Sequence, residues 1–183
     1  VETGLGGRLD STNVLSPIQT IITEIHYDHT HILGDSIEEI TSEKCGIFKD
    51  QIPSITVNSD PRAIKTIKEH ALLKNVEVSF VKKEDIVVKN QTPTSVSFSY
   101  ESQEFTMPQA GSYQTQNAIL AIKTCQHNFN HLTNENIQLA LDQWYWPARM
   151  QTMKENFFYD VAHNRNGINI LTKDLTEIYN KKP

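Results

Sequence analysis

Two short runs of β-branched residues, each followed by a helical pattern, constrain the fold of this chain most. Residues 18–23, IQTIIT, are typical of a buried strand in a parallel sheet, and residues 53–58, PSITVN, predict the strand that follows it. Helical patterns come after them, over about 37–45 and from Pro61 onward. The order strand, helix, strand, helix predicts an α/β fold with a mostly parallel sheet and right-handed crossovers.

Local signals predict the ends of these two helices. Ser36 and Glu39 match a capping box, which predicts the start of the first helix, and Gly46 can end it. Pro61 suits the first turn of the second helix. The face that this second helix buries is predicted to carry Ile64, Ile67, Ala71 and Leu72.

The pattern changes between residues 76 and 106. Residues 76–81 and 96–100 alternate between apolar and polar side chains, as half-exposed antiparallel strands do. We therefore predict a small antiparallel β-meander in this part of the chain.

The remaining segments predict helices, a break and a new strand. Helical patterns cover 112–129 and about 134–143, and Pro147 forbids the continuation of the second one. Residues 157–160, FFYD, are typical of the first strand of a new domain, and a helical pattern follows over 167–180.

Composition excludes several classes of function. The 183 residues carry a net charge of -5, which gives no electrostatic footprint for nucleic acid. No apolar run approaches the roughly 20 residues that a membrane span needs, so no membrane partner is expected. The two cysteines, Cys45 and Cys125, form neither a disulfide framework nor a zinc pattern, and we expect a reducing cytoplasm.

Three polar positions are candidates for metal chemistry. Glu2 precedes the GLGG stretch, where its carboxylate either binds Mg²⁺ or is simply solvated. His29 follows Asp28 after the first predicted strand and is either a metal ligand or a surface residue. Lys44 complements the dipole at the end of a helix. Its alternative role is that of a partly desolvated amine that reacts with carbon dioxide to give a carbamate ligand.

Three further positions are candidates for nucleotide contacts. Arg149 follows a Trp- and Pro-rich break, where it either reaches a phosphate or forms a surface ion pair. Asp160 and His163 lie where a predicted strand gives way to a helix. They suit a ribose and an adenine, or alternatively a helix cap and its loop.

The order of these motifs is more specific than any one of them. The segments in question are Glu2 with GLGGRLDSTN at 4–13, DHT at 28–30, LGDSIEEI at 33–40, EKCGIFK at 43–49, Gln114 with Asn117 and Ala118, WPARM at 146–150 and DVAHN at 160–164. In this order they resemble the folylpolyglutamate synthase/dihydrofolate synthase family of the Mur ligase superfamily. The segments 4–13 and 43–49 distinguish this family well from other Mur ligases.

The resemblance implies a large ATPase domain with a parallel sheet, joined to a smaller Rossmann-like domain. Residues 1–146 would then be part of the central ATPase domain. Residues 147–155 would be the interdomain linker, and residues 156–183 would begin the C-terminal glutamate-ligase domain.

The resemblance also implies roles for single residues. Two magnesium ions are expected near Glu2, His29 and Lys44, with Lys44 carbamylated. ATP is expected to contact four residues: Asn117 at the adenine, Arg149 at the phosphates, and Asp160 and His163 at the nucleoside. Lys44, His29 and Arg149 are the expected catalytic residues.

The implied reaction is the ATP-dependent ligation of L-glutamate to folate or dihydropteroate. ATP phosphorylates the pterin substrate's carboxylate, and the amine of glutamate attacks the acyl phosphate. These small molecules are the expected partners of a monomer that serves folate biosynthesis and one-carbon metabolism.

The sequence departs from the family pattern in several places. No Walker A pattern exists within the 183 residues, and the family's phosphate loop is expected upstream of Glu2. Ala148 stands where the family usually has glycine, and Cys45 where it usually has alanine. We expect an internal fragment that does not turn over ATP alone. The alternatives are another Mur-type amino-acid ligase and a non-catalytic remnant.

Overall fold

The computed structural model describes residues 1–154 and 157–180, and the chain divides into two compact units. The first unit ends at Lys83 and the second begins at Glu84. The predicted fold class, mixed α/β with a parallel sheet, helices and small antiparallel sheets, is confirmed.

The first unit is built around a three-stranded parallel sheet in the order β1-β2-β3. The elements of this unit, in chain order, are a 3-10 turn at Ser11–Val14, β1 (Thr20–Ile22), α1 (Thr30–Leu33), α2 (Ile37–Cys45), β2 (Ser54–Thr56), α3 (Pro61–Leu73) and β3 (Val78–Phe80). Ile21 pairs with Ile55, and Ile55 with Ser79, so the strands run in register. The predicted strand, helix, strand, helix order is therefore confirmed.

The core of this unit lies between the sheet and the helices. Ile22 of β1, Ile40 of α2 and Ile67 of α3 are buried in one cluster with Phe48 and Val76. Each such side chain stabilises the fold by about 1.5–3 kcal/mol relative to exposure. This packing fixes α2, whose C-terminal turn carries Lys44.

The start of α2 follows the prediction. The Ser36 hydroxyl accepts a hydrogen bond from the Glu39 backbone N–H at 3.1 Å, and the Glu39 carboxylate accepts one from the Ser36 N–H at 3.0 Å. This reciprocal capping box satisfies two backbone donors at the helix start. Asp60 caps α3 in a similar way, directly before Pro61.

Two predictions for the first unit are wrong. Residues 76–81 contain a strand, but β3 is parallel to β2 and belongs to the first sheet instead of the meander. In β3, Val78 and Phe80 pack against the core while Ser79 is exposed, so the strand shows the same alternation as an antiparallel strand. Leu72 is 81% exposed, because α3 turns Ala63, Ile67 and Ala71 inward at intervals of four residues.

The second unit starts with the antiparallel meander β4-β5-β6. Its elements in chain order are β4 (Val87–Thr92), β5 (Ser95–Tyr100), β6 (Gln103–Met107), α4 (Ser112–Asn128), α5 (Asn134–Asp142), β7 (Gln151–Lys154), β8 (Phe157–Tyr159) and α6 (Arg165–Asn180). Strands β7 and β8 form a two-stranded antiparallel sheet. Alternate residues of β5, namely Val96, Phe98 and Tyr100, are buried, as the predicted meander requires.

A buried acid joins two helices of the second unit. Asp174 of α6 accepts a hydrogen bond at 2.8 Å from the Ser112 backbone N–H, which is a free donor at the start of α4. Burial raises the pKa of Asp174. Nearby, Ala110, Met150 and Ile178 form a small apolar cluster. None of the described helices has the length and apolar character that a membrane span requires.

Candidate active site

The glycine-rich loop at 4–10 is docked on the C-terminal end of α2. The Arg8 backbone N–H donates to the Glu43 carbonyl at 2.8 Å. A Cβ at Gly7 would lie 2.8 Å from the Glu43 carbonyl oxygen, and a Cβ at Gly46 would lie 2.4 Å from the Arg8 Cα. Glycine at both positions is therefore a requirement of close backbone approach.

Gly46 ends α2 as predicted, but for a different physical reason. Its φ of -57° lies in the ordinary helical range, where any residue is comfortable, so the helix does not end in a left-handed cap. The residue is small because the backbone of Arg8 passes directly over it.

Side chains strengthen the same contact. The Arg8 guanidinium donates to the Glu43 carboxylate at 2.8 and 3.0 Å. Asn13 donates to the Gly46 carbonyl at 3.1 Å, and Lys49 donates to the Asn13 carbonyl at 2.6 Å. The two segments on which the family resemblance chiefly rests, 4–13 and 43–49, are thus bonded to each other.

Asp10 gives the loop its internal shape. Its carboxylate accepts hydrogen bonds from the Thr12 hydroxyl at 2.5 Å and from the backbone N–H groups of Thr12 and Leu5, each at 2.9 Å. These bonds lower the pKa of Asp10 to about 2. The carboxylate is therefore ionised across the physiological range and holds the loop closed on itself.

Lys44 occupies the last turn of α2, directly under this loop. Burial lowers the pKa of its amine, and the negative charge of Asp28 opposes that shift. A larger fraction of the amine is therefore neutral at a given pH than for a solvated lysine. Cys45, the neighbouring residue, is buried, and burial raises the pKa of its thiol to about 12, which makes it a packing residue.

His29 stands between β1 and α1 in a left-handed conformation, with φ 49°. Its backbone N–H donates to the Asp28 carboxylate at 2.9 Å, and its ring Nε2 lies 3.8 Å from the same oxygen. Asp28 thus lies beside two predicted site residues, His29 and Lys44, in the first unit. Glu2 is exposed at the start of the docked loop, and it is not among the groups that shift the pKa of Lys44.

Of the predicted nucleotide residues, Asn117 lies on α4. It is exposed, and its amide donates to the buried Gln114 side chain at 3.1 Å. Asn117 lies in the second turn of the helix whose first N–H, that of Ser112, bonds to Asp174.

Arg149 lies between two residues with left-handed backbones, Ala148 with φ 59° and Met150 with φ 44°. The Ala148 N–H donates to the Gln151 side chain at 2.9 Å, and the Met150 N–H donates to the Asp160 carboxylate at 2.8 Å. The segment around Arg149 is therefore a strained turn that neighbouring side chains hold in place.

The Asp160 carboxylate accepts several hydrogen bonds within the second unit. Besides Met150, it accepts hydrogen bonds from the Ala162 N–H at 2.7 Å and from the Tyr113 hydroxyl at 3.4 Å. Burial and the Asp160 charge raise the pKa of Tyr113, and the positive charge of Arg149 opposes that shift. Asp160, Tyr113 and Arg149 thus lie within electrostatic reach of one another.

His163 is exposed, and its Nδ1 lies 3.0 Å from the Val161 carbonyl oxygen. The cap of α6 is supplied by its neighbour Asn164, whose side chain accepts from the Gly167 N–H at 2.8 Å. Asn164 therefore provides the helix cap that the sequence predicts as an alternative for this loop. The ring of His163 is exposed.

Two residues of these sites are not predicted in their full role by the sequence. The sequence predicts Asp28 only as a partner of His29, whereas its charge also acts on Lys44. Gln109 is buried and bonded to the segment that carries Arg149. The one signal for Gln109 was a polar residue in a stretch that is otherwise apolar, and that signal is weak.

Comparison with known proteins identifies the family. The model of the Mur ligase middle domain matches residues 2–125, which is more than half of the chain. The chain belongs to this Mur ligase family. Over 96% of its length it is 34% identical to the dihydrofolate synthase/folylpolyglutamate synthase of Bacillus subtilis, and over 99% it is 31% identical to the folylpolyglutamate synthase of Lacticaseibacillus casei.

Solved structures agree with this membership. A solved FPGS (folylpolyglutamate synthase) complex with AMPPCP and folate superimposes on the whole of this Mur ligase chain with a TM-score of 0.86. The two sequences are 29% identical, and the match covers 47% of that protein. The chain likewise spans 44% and 45% of the two curated relatives. It therefore corresponds to about half the length of the proteins that it resembles.

The docking contact predicts the effect of a methyl group at Gly46. Alanine is ordinarily about 1 kcal/mol better than glycine in a helix. Here we expect Gly46→Ala to lower the free energy of unfolding by about 1–3 kcal/mol, because the new methyl overlaps Arg8. Gly4→Ala is the comparison and should cost less, because its methyl would meet the Asp10 side chain at 3.2 Å instead of the Arg8 backbone at 2.4 Å. Urea unfolding that finds Gly46→Ala as stable as the original chain would contradict the docking.

The strained turn at Ala148 predicts that glycine at this position stabilises the protein, whereas alanine at Gly46 destabilises it. A left-handed alanine costs about 1–2 kcal/mol, and the extra flexibility of glycine costs about 0.5–1 kcal/mol. We expect Ala148→Gly to raise the free energy of unfolding by about 0.5–1 kcal/mol. The matched control, Ala121→Gly on the exposed face of α4, should lower it by about 1 kcal/mol. Equal losses in both variants would show that Ala148 is not strained.

Proposed function

We propose that this chain carries part of the machinery of an enzyme that joins L-glutamate to folates at the expense of ATP. The observation that carries the proposal is the docked pair of segments, 4–13 and 43–49, which distinguish folylpolyglutamate synthases and are bonded to each other in this fold. Similarity over nearly the whole chain to a folylpolyglutamate synthase supports it.

The reaction that we propose has two steps. A carboxylate oxygen of the pterin substrate attacks the terminal phosphorus of ATP, ADP leaves, and an acyl phosphate forms. The amine of L-glutamate then attacks the acyl carbon, and inorganic phosphate leaves as the amide bond forms. Two of the elements that such a reaction needs, cationic groups for phosphate and hard ligands for a metal, occur among the residues described above.

We assign the metal role to Glu2, His29 and carbamylated Lys44. The donor chemistry fits, because Glu2 offers a carboxylate, His29 an imidazole and Lys44, once carbamylated, a carbamate, all on exposed or half-buried side chains. Magnesium, when bound, would offset the negative charge of the phosphates. The lowered pKa of Lys44 favours the neutral amine, which is the form that reacts with carbon dioxide to give the carbamate.

We assign the nucleotide role to four residues of the second unit. In this assignment Arg149 contacts the phosphates, which attract its fixed positive charge. Asn117 lies at the adenine, and Asp160 and His163 lie at the nucleoside. The rigid turn around Arg149 supports this role, since a residue that stabilises transferring charge works best when it is positioned in advance.

The wider organisation is also part of the proposal. Residues 1–146 belong to a central ATPase domain, 147–155 to a linker, and 156–183 to the start of a glutamate-ligase domain. Residues 155, 156 and 181–183 lie outside the described part of the chain. The protein would act as a monomer in the cytoplasm.

A second activity is supported by one relative. The Bacillus subtilis protein is named both a dihydrofolate synthase and a folylpolyglutamate synthase, and it is 34% identical to this chain. We therefore propose dihydropteroate as an alternative acceptor of glutamate. Ligation of an amino acid to another carboxylate, as in other Mur ligases, is the competing function.

A coupled assay of ADP release tests the proposed function. The protein that carries this chain should release ADP only when glutamate and a pterin substrate are both present. Tetrahydrofolate and dihydropteroate should be offered separately, because the one that supports release identifies the activity. ADP release with either pterin that does not depend on glutamate, or no release from folded protein, would contradict the proposal.

Carbon-13 NMR in labelled bicarbonate tests the carbamate. We expect one carbamate signal that disappears in Lys44→Arg and persists in Lys49→Arg, a lysine whose amine is engaged with the Asn13 carbonyl. Asp28 raises the pKa of Lys44, so Asp28→Asn should lower it further and shift carbamate formation to lower pH. A signal that survives Lys44→Arg would refute the assignment.

A further inference from the structure

The segment that carries Arg149 is fixed by a single buried amide from a distant part of the chain. Gln109 lies after β6 and is only 4% exposed. Its side-chain oxygen accepts from the Trp146 N–H at 3.0 Å, and its side-chain nitrogen donates to the Trp146 carbonyl at 2.7 Å. The same nitrogen donates to the Arg149 carbonyl. One side chain therefore holds both ends of the stretch from Trp146 to Arg149.

The Gln109 hydrogen bonds satisfy backbone N–H and C=O groups in a segment that lies outside helices and strands. Residues 146–149 connect α5 to β7 and belong to neither, so their backbone groups need other donors and acceptors. Gln109 supplies three of these bonds at the Trp146 and Arg149 ends of the stretch. Asp160 and Gln151 supply the bonds to Met150 and Ala148.

Backbone strain around Arg149 means that the three Gln109 hydrogen bonds, which we call the Gln109 clamp, determine the local backbone conformation. Ala148 and Met150 hold left-handed conformations that cost about 1–2 kcal/mol each, so the turn would relax if its partners were removed. Relaxation would change the direction of the Cα–Cβ bond of Arg149, which lies between them. The hydrogen bonds from the buried Gln109 side chain to Trp146 and Arg149 prevent this.

We propose that Gln109 is a positioning residue, which sets the place of the Arg149 guanidinium by clamping the backbone at Trp146 and Arg149. The inference rests on the proposed function, in which Arg149 contacts the phosphates of ATP. Gln109 itself touches no reacting group. Its contribution is to keep the arginine where the transferring charge develops, and displacement by about 1 Å can cost a hundredfold in rate.

A double-mutant cycle in the glutamate-dependent ADP assay tests the proposal. Gln109→Met keeps the length of the side chain and removes all three hydrogen bonds. We expect it to lower kcat about 10- to 100-fold, while the KM for glutamate changes less than about threefold. In an Arg149→Ala background the same change should lower kcat less than about twofold, because the group that Gln109 positions is already absent.

The control is a second buried glutamine of the same unit. Gln91 on β4 is also 4% exposed and makes none of the bonds to residues 146–149. Neither polar atom of the Gln91 side chain has a hydrogen-bond partner among the described residues, so Gln91→Met should leave kcat within about twofold. If Gln109→Met does not fold, Gln109→Leu serves instead, since it also removes both the donor and the acceptor and cannot overfill the site.

Hydrogen exchange separates failure of this inference from failure of the proposed function. The Trp146 amide should exchange at least about tenfold faster in Gln109→Met than in Gln91→Met, whether or not the protein ligates glutamate. Unchanged exchange, unchanged kcat, or an equal loss of kcat in the Arg149→Ala background would each overturn the positioning role. Loss of ligation in the unmodified protein would instead refute the proposed function.

Discussion

The close approach between a glycine-rich loop and the end of α2 is the contact on which the first unit's candidate site depends. Gly7 and Gly46 let two backbones meet at a distance that no side chain would permit. Arg8 and Asn13 then bond the loop to the helix end on either side of Lys44. The contact shows in physical terms how the segments 4–13 and 43–49 fit each other in this chain.

The two units hold their candidate site residues in place by different interactions. In the first, close packing and ionised hydrogen bonds such as those of Asp10 hold a lysine in a partly desolvated place, and this shifts its pKa. In the second, the buried Gln109 amide and the half-buried Asp160 carboxylate hold a strained turn around Arg149. Both arrangements stabilise a local geometry that chain propensity alone would not adopt.

What the sequence predicted well was local. The capping box of α2 and the helix after Pro61 depend on residues within one turn, so their signals lie in the sequence itself. The direction of β3 depends on its neighbour in the sheet, and alternation alone cannot reveal it. Gln109 bonds to Trp146 and Arg149, which lie 37 and 40 positions further along the chain, and no local sequence pattern predicts such a contact. The roles of the candidate site residues stay predictions that only experiments on the protein decide.

The most direct test of the account is the fate of oxygen in the proposed reaction. With ¹⁸O in the carboxylate of the pterin substrate, ligation through an acyl phosphate must transfer one labelled oxygen to the inorganic phosphate that leaves. We predict phosphate with one ¹⁸O for each glutamate added. Phosphate without the label, formed alongside a glutamate adduct, would show that the carboxylate is not phosphorylated and would contradict the proposed chemistry.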